Sequence, residues 1–258
     1  MRDQNDMKAK LKSGKRVFGT WSMLGSPSAT NVISQADMDF IILDMEHGPM
    51  SFETVERQLY FGESSACTPI IRLGVKDEPT ILRALETGAH GIMASHVVTA
   101  EDAKGVVQAA LYPPEGSRGL SPFTRNHGYS EENLPAKLKK ANEEMFIGVL
   151  VEGEKGLGNL ESIVNVPGLD MVYLGIYDIS LALGVPGDLN HPKVVKYLKD
   201  SVKVIEDKGL VAGSVAPTKE YIKLLYDTGF RFIAYRVDCA VLRQGFVQAR
   251  GWFDALEG

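Results

Sequence analysis

Three side chains that can exchange protons or bind cations follow one apolar run of this sequence. Residues 40–49 read FIILDMEHGP, so four apolar residues lead directly to Asp44, Glu46 and His47. Charged groups at the end of a buried strand must be paired, hydrated or used in chemistry. Imidazole is the side chain best suited to proton transfer at neutral pH. We therefore treat His47 as a candidate general base, and the alternative is a hydrogen-bonded structural histidine.

Two acids follow later apolar runs and form a candidate metal site. Glu152 ends the run FIGVLVE, and Asp178 comes shortly after the next run, MVYLG. If those runs are adjacent parallel strands, the two carboxylates lie near each other. Two carboxylates with open coordination positions suit a hard divalent cation such as Mg²⁺ or Mn²⁺. For either acid alone, the alternative is a helix cap or an ion pair with Lys155.

An arginine and a second histidine also stand at the ends of apolar runs. Arg72 is in the run PIIRL, where an unpaired guanidinium would be costly. It either pairs with Asp44 or Glu46, or it binds a carboxylate or carbonyl oxygen of a substrate. We expect these two acids to orient Arg72 or His47 rather than to bind metal. His96 follows the run GIMAS and is either a third metal ligand or a residue that only ends a strand.

Eight short apolar runs, separated by stretches of helical spacing, must position these groups. The runs are RVFGTW, FIILD, PIIRL, GIMAS, FIGVLVE, MVYLG, VAGSV and FIAYRV. They are mostly continuous rather than alternating, as expected for parallel strands covered on both faces. The pattern predicts an α/β fold, a (β/α)8 TIM barrel, as a single domain over residues 1–258. An open doubly wound sheet is the alternative, but its glycine-rich phosphate turn is poorly matched by TWSMLGSPSA.

Helix-boundary residues flank the stretches between the runs. Thr99 is a predicted N-cap, and Gly229 a predicted helix end. Residues 51–64, SFETVERQLYFGES, are predicted to be helical. The exception is the segment 112–140, which is rich in proline and glycine and is expected to be a functional loop or disordered.

Composition restricts the partners of this chain of 258 residues, which is 44% hydrophobic and 24% charged. A net charge of −5 argues against nucleic acid as a partner, since phosphate binding requires a basic face. Two cysteines, Cys67 and Cys239, provide neither a disulfide framework nor a C-x-x-C motif. The first residues lack the apolar core of a signal peptide, and no run has the length of a membrane span. We expect a cytoplasmic protein without a membrane partner.

None of the eight runs contains a lysine, which disfavours a Schiff-base aldolase. Any carbanion chemistry would instead depend on a metal Lewis acid. The turn GSVAPT after the seventh run lacks the glycine-rich character of a strong phosphate site, so a phosphorylated substrate is disfavoured.

The motifs together resemble those of the HpcH/HpaI family of metal-dependent class II pyruvate aldolases, which includes 4-hydroxy-2-oxo-heptanedioate aldolase. The matching segments are LDMEHGP, IIRL, YPPEGSRG, LVE and LGIYDIS. The similarity extends from Gly19 to Asp238. It implies a TIM barrel of the pyruvate-binding type that exchanges its last helix with a neighbouring subunit and forms a homohexamer, a trimer of dimers. The C-terminal AVLRQGFVQARGWFDAL, with Leu242, Phe246 and Phe253 on one side, fits such a helix.

The resemblance also implies a reaction and the residues that perform it. A 4-hydroxy-2-oxo acid would be cleaved to pyruvate and an aldehyde through a metal-stabilised pyruvate enolate. Glu152 and Asp178 would hold Mg²⁺, Mn²⁺ or Co²⁺. His47 would act as the base, and Arg72 would stabilise the enolate oxygen. Which aldehyde is released does not follow from the sequence.

The resemblance implies two further residue roles, and the sequence departs from the family pattern at several positions. Glu86 would support the histidine, and backbone amides around Tyr177 and Asp178 would receive the pyruvate carboxylate. Leu150 stands where the family commonly has glutamine, and Ile176 where it often has proline. Two alternatives stay open. One is a lyase of the citrate- or malyl-CoA-lyase kind, for which no basic nucleotide-binding patch is evident. The other, which Leu150 and Ile176 favour, is a non-catalytic protein that binds an oxo acid.

Overall fold

Eight parallel strands close into a barrel in the computed structural model, which describes residues 4–62 and 65–256. The strands follow one another around the barrel in chain order, and the last pairs with the first. They are β1 (Val17–Ser22), β2 (Phe40–Asp44), β3 (Thr68–Leu73), β4 (Gly91–Ala94), β5 (Phe146–Val151), β6 (Met171–Leu174), β7 (Val211–Ala216) and β8 (Phe232–Val237). Each strand coincides with one of the eight apolar runs, so the predicted (β/α)8 barrel is confirmed.

The helices surround the barrel and join its strands. They are α1 (Asp6–Lys12), α2 (Pro27–Ser34), α3 (Phe52–Gly62), α4 (Glu78–Glu86), α5 (Ala100–Ala110), α6 (Leu134–Glu144), α7 (Gly153–Gly158), α8 (Leu160–Ile163), α9 (Ile176–Ala182), α10 (Pro192–Glu206), α11 (Lys219–Thr228) and α12 (Asp238–Asp254). Thr99 caps α5 and Gly229 ends α11 in a left-handed conformation, both as predicted. The last two residues of the helical stretch predicted at 51–64 lie outside the described residues. Within the described ranges, no helix has both the length and the apolarity needed to cross a bilayer.

Aromatic side chains fill the inside of the barrel towards its N-terminal end. Phe40 stacks on Phe232 with ring centroids 3.7 Å apart, and Phe146 also stacks on Phe232, with centroids 6.1 Å apart. Helix α1, which the sequence did not predict, adds the buried side chains Met7 and Leu11 to this cluster. The N-terminal end of the barrel is therefore closed, and its C-terminal end is left to hold a pocket.

The proline- and glycine-rich segment 112–140 is more ordered than the sequence predicted. It contains a 3₁₀ turn at Arg125–His127, and α6 begins within it at Leu134. The hydroxyl of Tyr112 and Nε2 of His127 are both buried and lie 2.8 Å apart. Helix α6 has no buried residue, so it lacks the apolar stripe by which a helix is recognised in a sequence. The expectation of a loop or disorder throughout this segment is therefore wrong.

Candidate functional site

A pocket of about 460 Å³ lies at the C-terminal end of the barrel. Seven of the eight strands, or the loops that follow them, contribute to its lining. Nε1 of Trp21 donates to the hydroxyl of Tyr173 over 2.9 Å, and the two rings meet edge to face. Burial raises the pKa of the Tyr173 hydroxyl far above its ordinary value, so this hydroxyl stays protonated. Together with Leu150, these side chains give the pocket an apolar floor.

Arg72 is held in this pocket by acids on both sides. Its Nε donates to Oε2 of Glu46 over 2.7 Å and to Oγ of Ser95 over 3.0 Å, and Nη1 lies 3.6 Å from Oδ2 of Asp44. The guanidinium carbon is 5.1 Å from the ring centroid of Trp21. Burial alone would raise the pKa of Glu46, but hydrogen bonds from Ser95 and Arg72 and the nearby positive charges lower it. Glu46 is therefore ionised and holds the guanidinium in place.

The turn after β2 places His47 at the edge of the pocket. Oδ1 of the buried Asp44 accepts from the backbone amides of Glu46 and His47 over 3.0 and 3.1 Å. Gly48 is required by this turn, because a Cβ there would lie 2.3 Å from the carbonyl oxygen of Asp44. The His47 side chain is 65% exposed, and its Nε2 is 4.0 Å from Oε1 of Glu46. The imidazole is thus free to reach a substrate in the pocket.

His96 connects the two acidic parts of the site. It follows β4 with a positive φ of 56°, and its Nε2 lies 2.9 Å from Oε1 of Glu46. Its Nδ1 lies 3.3 Å from Oε1 of Glu152. A histidine can donate to two carboxylates only as an imidazolium, because a neutral ring carries a single N–H. The structure thus places His96 beside a predicted metal ligand.

Glu152 and Asp178 follow the adjacent strands β5 and β6 and approach each other, as their order in the sequence predicted. Glu152 occupies the N-cap position of α7 but makes no capping hydrogen bond, and its ionic partner is His96 rather than Lys155. Burial and the negative charge of Asp178 raise the pKa of Glu152 to about 7. Gly175 leaves room for this carboxylate, since a Cβ there would lie 3.0 Å from Oε2 of Glu152.

These two carboxylates fit a divalent cation better than they fit a structural role. Their mutual repulsion raises the pKa of Glu152 although the charge of Arg72 lowers it, and a cation between the two carboxylates would remove that repulsion. Within residues 4–62 and 65–256, no three His, Cys, Asp or Glu side chains form a ready metal cluster. The protein would therefore provide two oxygen ligands and leave further coordination positions open, as suits Mg²⁺ and Mn²⁺.

The first turn of α9 contributes Tyr177 and Asp178 to the pocket. The N-cap of this helix is Gly175, which has no side chain to accept from the first amides. Those amides are available to an acceptor in the pocket. Tyr177 is 54% exposed and lines the same pocket.

Glu86 is the one predicted site residue that lies elsewhere. It is the last residue of α4, and its carboxylate accepts from Nη2 of Arg118 over 2.8 Å. A helix that follows a barrel strand returns to the N-terminal end of the barrel, so its last residue lies far from the C-terminal pocket. Within one chain, therefore, the structure does not bring Glu86 to His47. Its support of the histidine stays a prediction.

Several pocket residues were not identified from the sequence. Trp21 lies inside the first apolar run, where it has the composition of a core residue. Arg236 is in the eighth run, and its positive φ of 47° cannot be read from the letters FIAYRV. Tyr173, in the run MVYLG, points into the pocket and is fully buried. Side chains within a continuous apolar run have the composition of a core, so the sequence does not distinguish those that line a pocket.

Comparisons with known proteins extend over nearly the whole barrel. The family model described as HpcH/HpaI aldolase/citrate lyase matches residues 17–244. The pyruvate aldolase of Rhizobium etli is 32% identical over 241 residues, which cover 93% of this chain and 94% of that one. The 4-hydroxy-2-oxo-heptane-1,7-dioate aldolase of Escherichia coli is 30% identical over 240 residues, covering 93% and 91%. A solved structure of an HpcH/HpaI aldolase/citrate lyase family protein from Burkholderia cenocepacia has a TM-score of 0.91 at 27% identity, covering 97% of this chain and 100% of that one.

Proposed function

We propose that this chain, which belongs to the HpcH/HpaI aldolase/citrate lyase family, is a metal-dependent pyruvate aldolase. It would cleave a 4-hydroxy-2-oxo acid to pyruvate and an aldehyde. The observation that carries the proposal is the pair Glu152 and Asp178, two close carboxylates that repel each other in the same pocket as Arg72. The names of the relatives from Rhizobium etli and Escherichia coli support the same reaction class.

Glu152 and Asp178 are the residues that would hold the cation, which we propose to be Mg²⁺, Mn²⁺ or Co²⁺. When bound, such an ion supplies Lewis-acid polarisation of the 2-oxo acid group of the substrate. The neighbouring Leu150 is an apolar side chain in the same wall, so it limits the access of water to this end of the pocket.

Arg72 would stabilise the negative charge that develops on the 2-oxo oxygen during cleavage. Its guanidinium is already fixed by Glu46 and Ser95, so it does not have to reorganise when the charge appears. Fixed donors in a site shielded from water stabilise a developing oxyanion much more than mobile donors in water do.

His47 would remove the proton from the 4-hydroxyl of the substrate. The O–H electrons then form the carbonyl of the aldehyde, the C3–C4 bond breaks with its electrons forming a second C2–C3 bond, and the π electrons of the C2 carbonyl move onto its oxygen to give the enolate. Return of a proton to C3 gives pyruvate. The backbone amides around Tyr177 and Asp178 would receive the substrate carboxylate, because the first turn of α9 leaves them without a side-chain cap.

We also propose that the protein is a homohexamer in which α12 packs on a neighbouring copy. All residues from 241 to 256 are exposed in the single chain, including Leu242, Phe246 and Phe253. A helix with apolar residues exposed in this number is normally covered by a partner.

Metal removal and a matched pair of variants test the aldolase. Glu152→Gln should lose Mn²⁺ binding and lower pyruvate release by more than about a hundredfold. Mutation of a residue that only supports a metal ligand already lowers metal affinity or activity by about 10–100-fold. The control is Glu154→Gln, which changes an exposed acid two residues away and should bind Mn²⁺ normally. Calorimetry measures the binding, and lactate dehydrogenase measures pyruvate.

In the same assay, EDTA should abolish pyruvate release by the wild-type enzyme, and Mg²⁺, Mn²⁺ or Co²⁺ should restore it. Full activity in the metal-stripped enzyme would contradict the proposal. Binding of pyruvate and metal without cleavage of any 4-hydroxy-2-oxo acid would also overturn it, in favour of a non-catalytic oxo-acid-binding protein.

A further inference from the structure

His96 contacts two acids of the site that have different tasks. Its Nε2 lies 2.9 Å from Oε1 of Glu46, and its Nδ1 lies 3.3 Å from Oε1 of Glu152. Glu46 uses its other oxygen, Oε2, to accept from Nε of Arg72 over 2.7 Å. Arg72 and Glu152 line the pocket, whereas His96 lies behind them, outside the lining. His96 is therefore placed to hold the two acids rather than to touch a substrate.

The two oxygens of Glu152 face different neighbours. Oε1 lies against His96, whereas Oε2 would be 3.0 Å from a Cβ at Gly175. Gly175 is the N-cap of α9, and Asp178 is in the first turn of that helix. Oε2 therefore faces the turn that carries Asp178, which is the side on which the cation is proposed to bind. A carboxylate that is held at one oxygen keeps the direction of the other, and this is how partners of a ligating carboxylate act on a metal site.

The backbone around His96 is fixed in an unusual conformation. Its φ of 56° lies in the left-handed region, which histidine adopts more often than most residues with a Cβ. Nζ of Lys76 donates to the carbonyl oxygen of His96 over 3.0 Å. The amide of the next residue, Val97, donates over 3.4 Å to the carbonyl oxygen of Leu150, two residues before Glu152. The loop is thus tied to β5, and backbone strain that is held in this way is concentrated at functional sites.

We propose that His96 is a positioning residue that holds the carboxylates of Glu152 and Glu46 at the same time. It keeps Oε2 of Glu152 directed towards the cation, and it keeps Glu46 against Arg72. The inference rests on the proposed aldolase function and adds a residue to its machinery. Direct coordination by His96 is disfavoured, because in the part of the chain that the structure describes it forms no three-ligand group with Glu152 and Asp178. One imidazole thus connects the metal ligands to the arginine that stabilises the enolate.

Two conservative variants test the two contacts separately. The amide nitrogen of asparagine can take the place of Nδ1, and that of glutamine the place of Nε2. His96→Gln should therefore lose the contact with Glu152 and weaken Mn²⁺ binding, measured by calorimetry, by about 10–100-fold. His96→Asn should bind Mn²⁺ as the wild type does but lose the contact with Glu46. At saturating Mn²⁺ it should exchange the pyruvate methyl protons with D₂O about tenfold more slowly, as followed by NMR. The control His191→Gln makes the same change at the start of α10, outside the pocket lining, and should match the wild type in both measurements.

The outcomes separate this inference from the aldolase proposal. A wild-type protein that neither binds Mn²⁺ nor exchanges the methyl protons would overturn the aldolase proposal itself. If the wild type does both, and His96→Gln, shown to be folded by near-UV circular dichroism, binds Mn²⁺ equally tightly, the positioning of Glu152 is refuted. Equal losses in His96→Asn and His96→Gln would refute the two separate contacts. Coupling of an imidazole nitrogen to Mn²⁺ in electron spin-echo spectra of the wild type, absent from His96→Gln, would show direct coordination and would also refute the positioning role.

Discussion

The side chains around Arg72 form a continuous series of charge-assisted contacts. Ser95 and Glu46 hold the guanidinium, His96 lies 2.9 Å from Glu46, and the same imidazole lies 3.3 Å from Glu152. Basic and acidic side chains therefore alternate from Arg72 as far as Glu152. Asp178, the next acid along the barrel, breaks this alternation because it lies beside Glu152. The two neighbouring acids are where the cation is proposed to bind.

The raised pKa of Glu152 predicts how stability depends on pH in metal-free protein. A carboxyl whose pKa is about 7 when folded and 4.5 ordinarily favours the folded state only when protonated. Its contribution is complete below pH 4.5 and is lost as the pH rises through 7. The full shift corresponds to about 3 kcal/mol, and solvent at the pocket reduces this to about 1–2 kcal/mol.

Glu152→Gln stays neutral and should therefore gain stability over the wild type between pH 4.5 and 8. Urea unfolding in EDTA across this range measures the gain. Glu154→Gln should follow the wild-type curve. A constant difference between Glu152→Gln and the wild type would show that the folded pKa is not raised.

At the scale of helices and strands, the sequence predicted the elements whose formation depends on a local pattern of residues. All eight strands were predicted because each is a continuous apolar run, and the cap at Thr99 because its hydroxyl precedes an acidic first turn. Helix α6 was missed because none of its residues is buried. Glu86 lies away from the pocket because α4 runs back to the N-terminal end of the barrel. A match to a family motif does not show in which direction a helix runs. The φ values of His96 and Arg236 depend on contacts with other strands, which the sequence does not show.

The start of α5 fixes the loop that carries His96. Oδ2 of Asp102 accepts from the backbone amides of Val98 and Thr99, each over 3.1 Å. These bonds, together with that from Thr99 Oγ1 to the Asp102 amide, make a reciprocal cap. Lys76 adds a bond to the carbonyl oxygen of His96 over 3.0 Å. A cap thus positions part of the site.

Asp102→Ala should lower the free energy of unfolding by about 1–2 kcal/mol, because two amides lose their acceptor. Urea unfolding measures this loss. Glu101→Ala removes an exposed acid from the same turn and should change stability by less than about 0.5 kcal/mol. Equal effects of the two variants would mean that the cap contributes nothing beyond the negative charge.

At the scale of the whole molecule, barrel closure is what assembles the site. Arg72 and Glu152 are 80 residues apart in the chain yet line one pocket. Because α1 and the aromatic cluster close the N-terminal end, the open C-terminal end is where substrate can enter. The strand order was predictable from the sequence. The closeness of Glu152 and Asp178 was predictable from that order, but the irregularity in β8 at Arg236 was not, since it depends on contacts between strands.

Helix α12 links the pocket to the proposed assembly. Its first turns reach the pocket through Ala240 and hold Arg236 through Gln244, while Phe246 is 68% exposed. Phe246→Glu should therefore disrupt the oligomer, because a charge buried in an apolar contact between copies has no partner. Sedimentation velocity should show a shift towards the 28.2 kDa monomer. Gln248→Glu adds the same charge about 200° around the helix and should stay assembled. A wild-type protein that sediments as a monomer would refute the assembly.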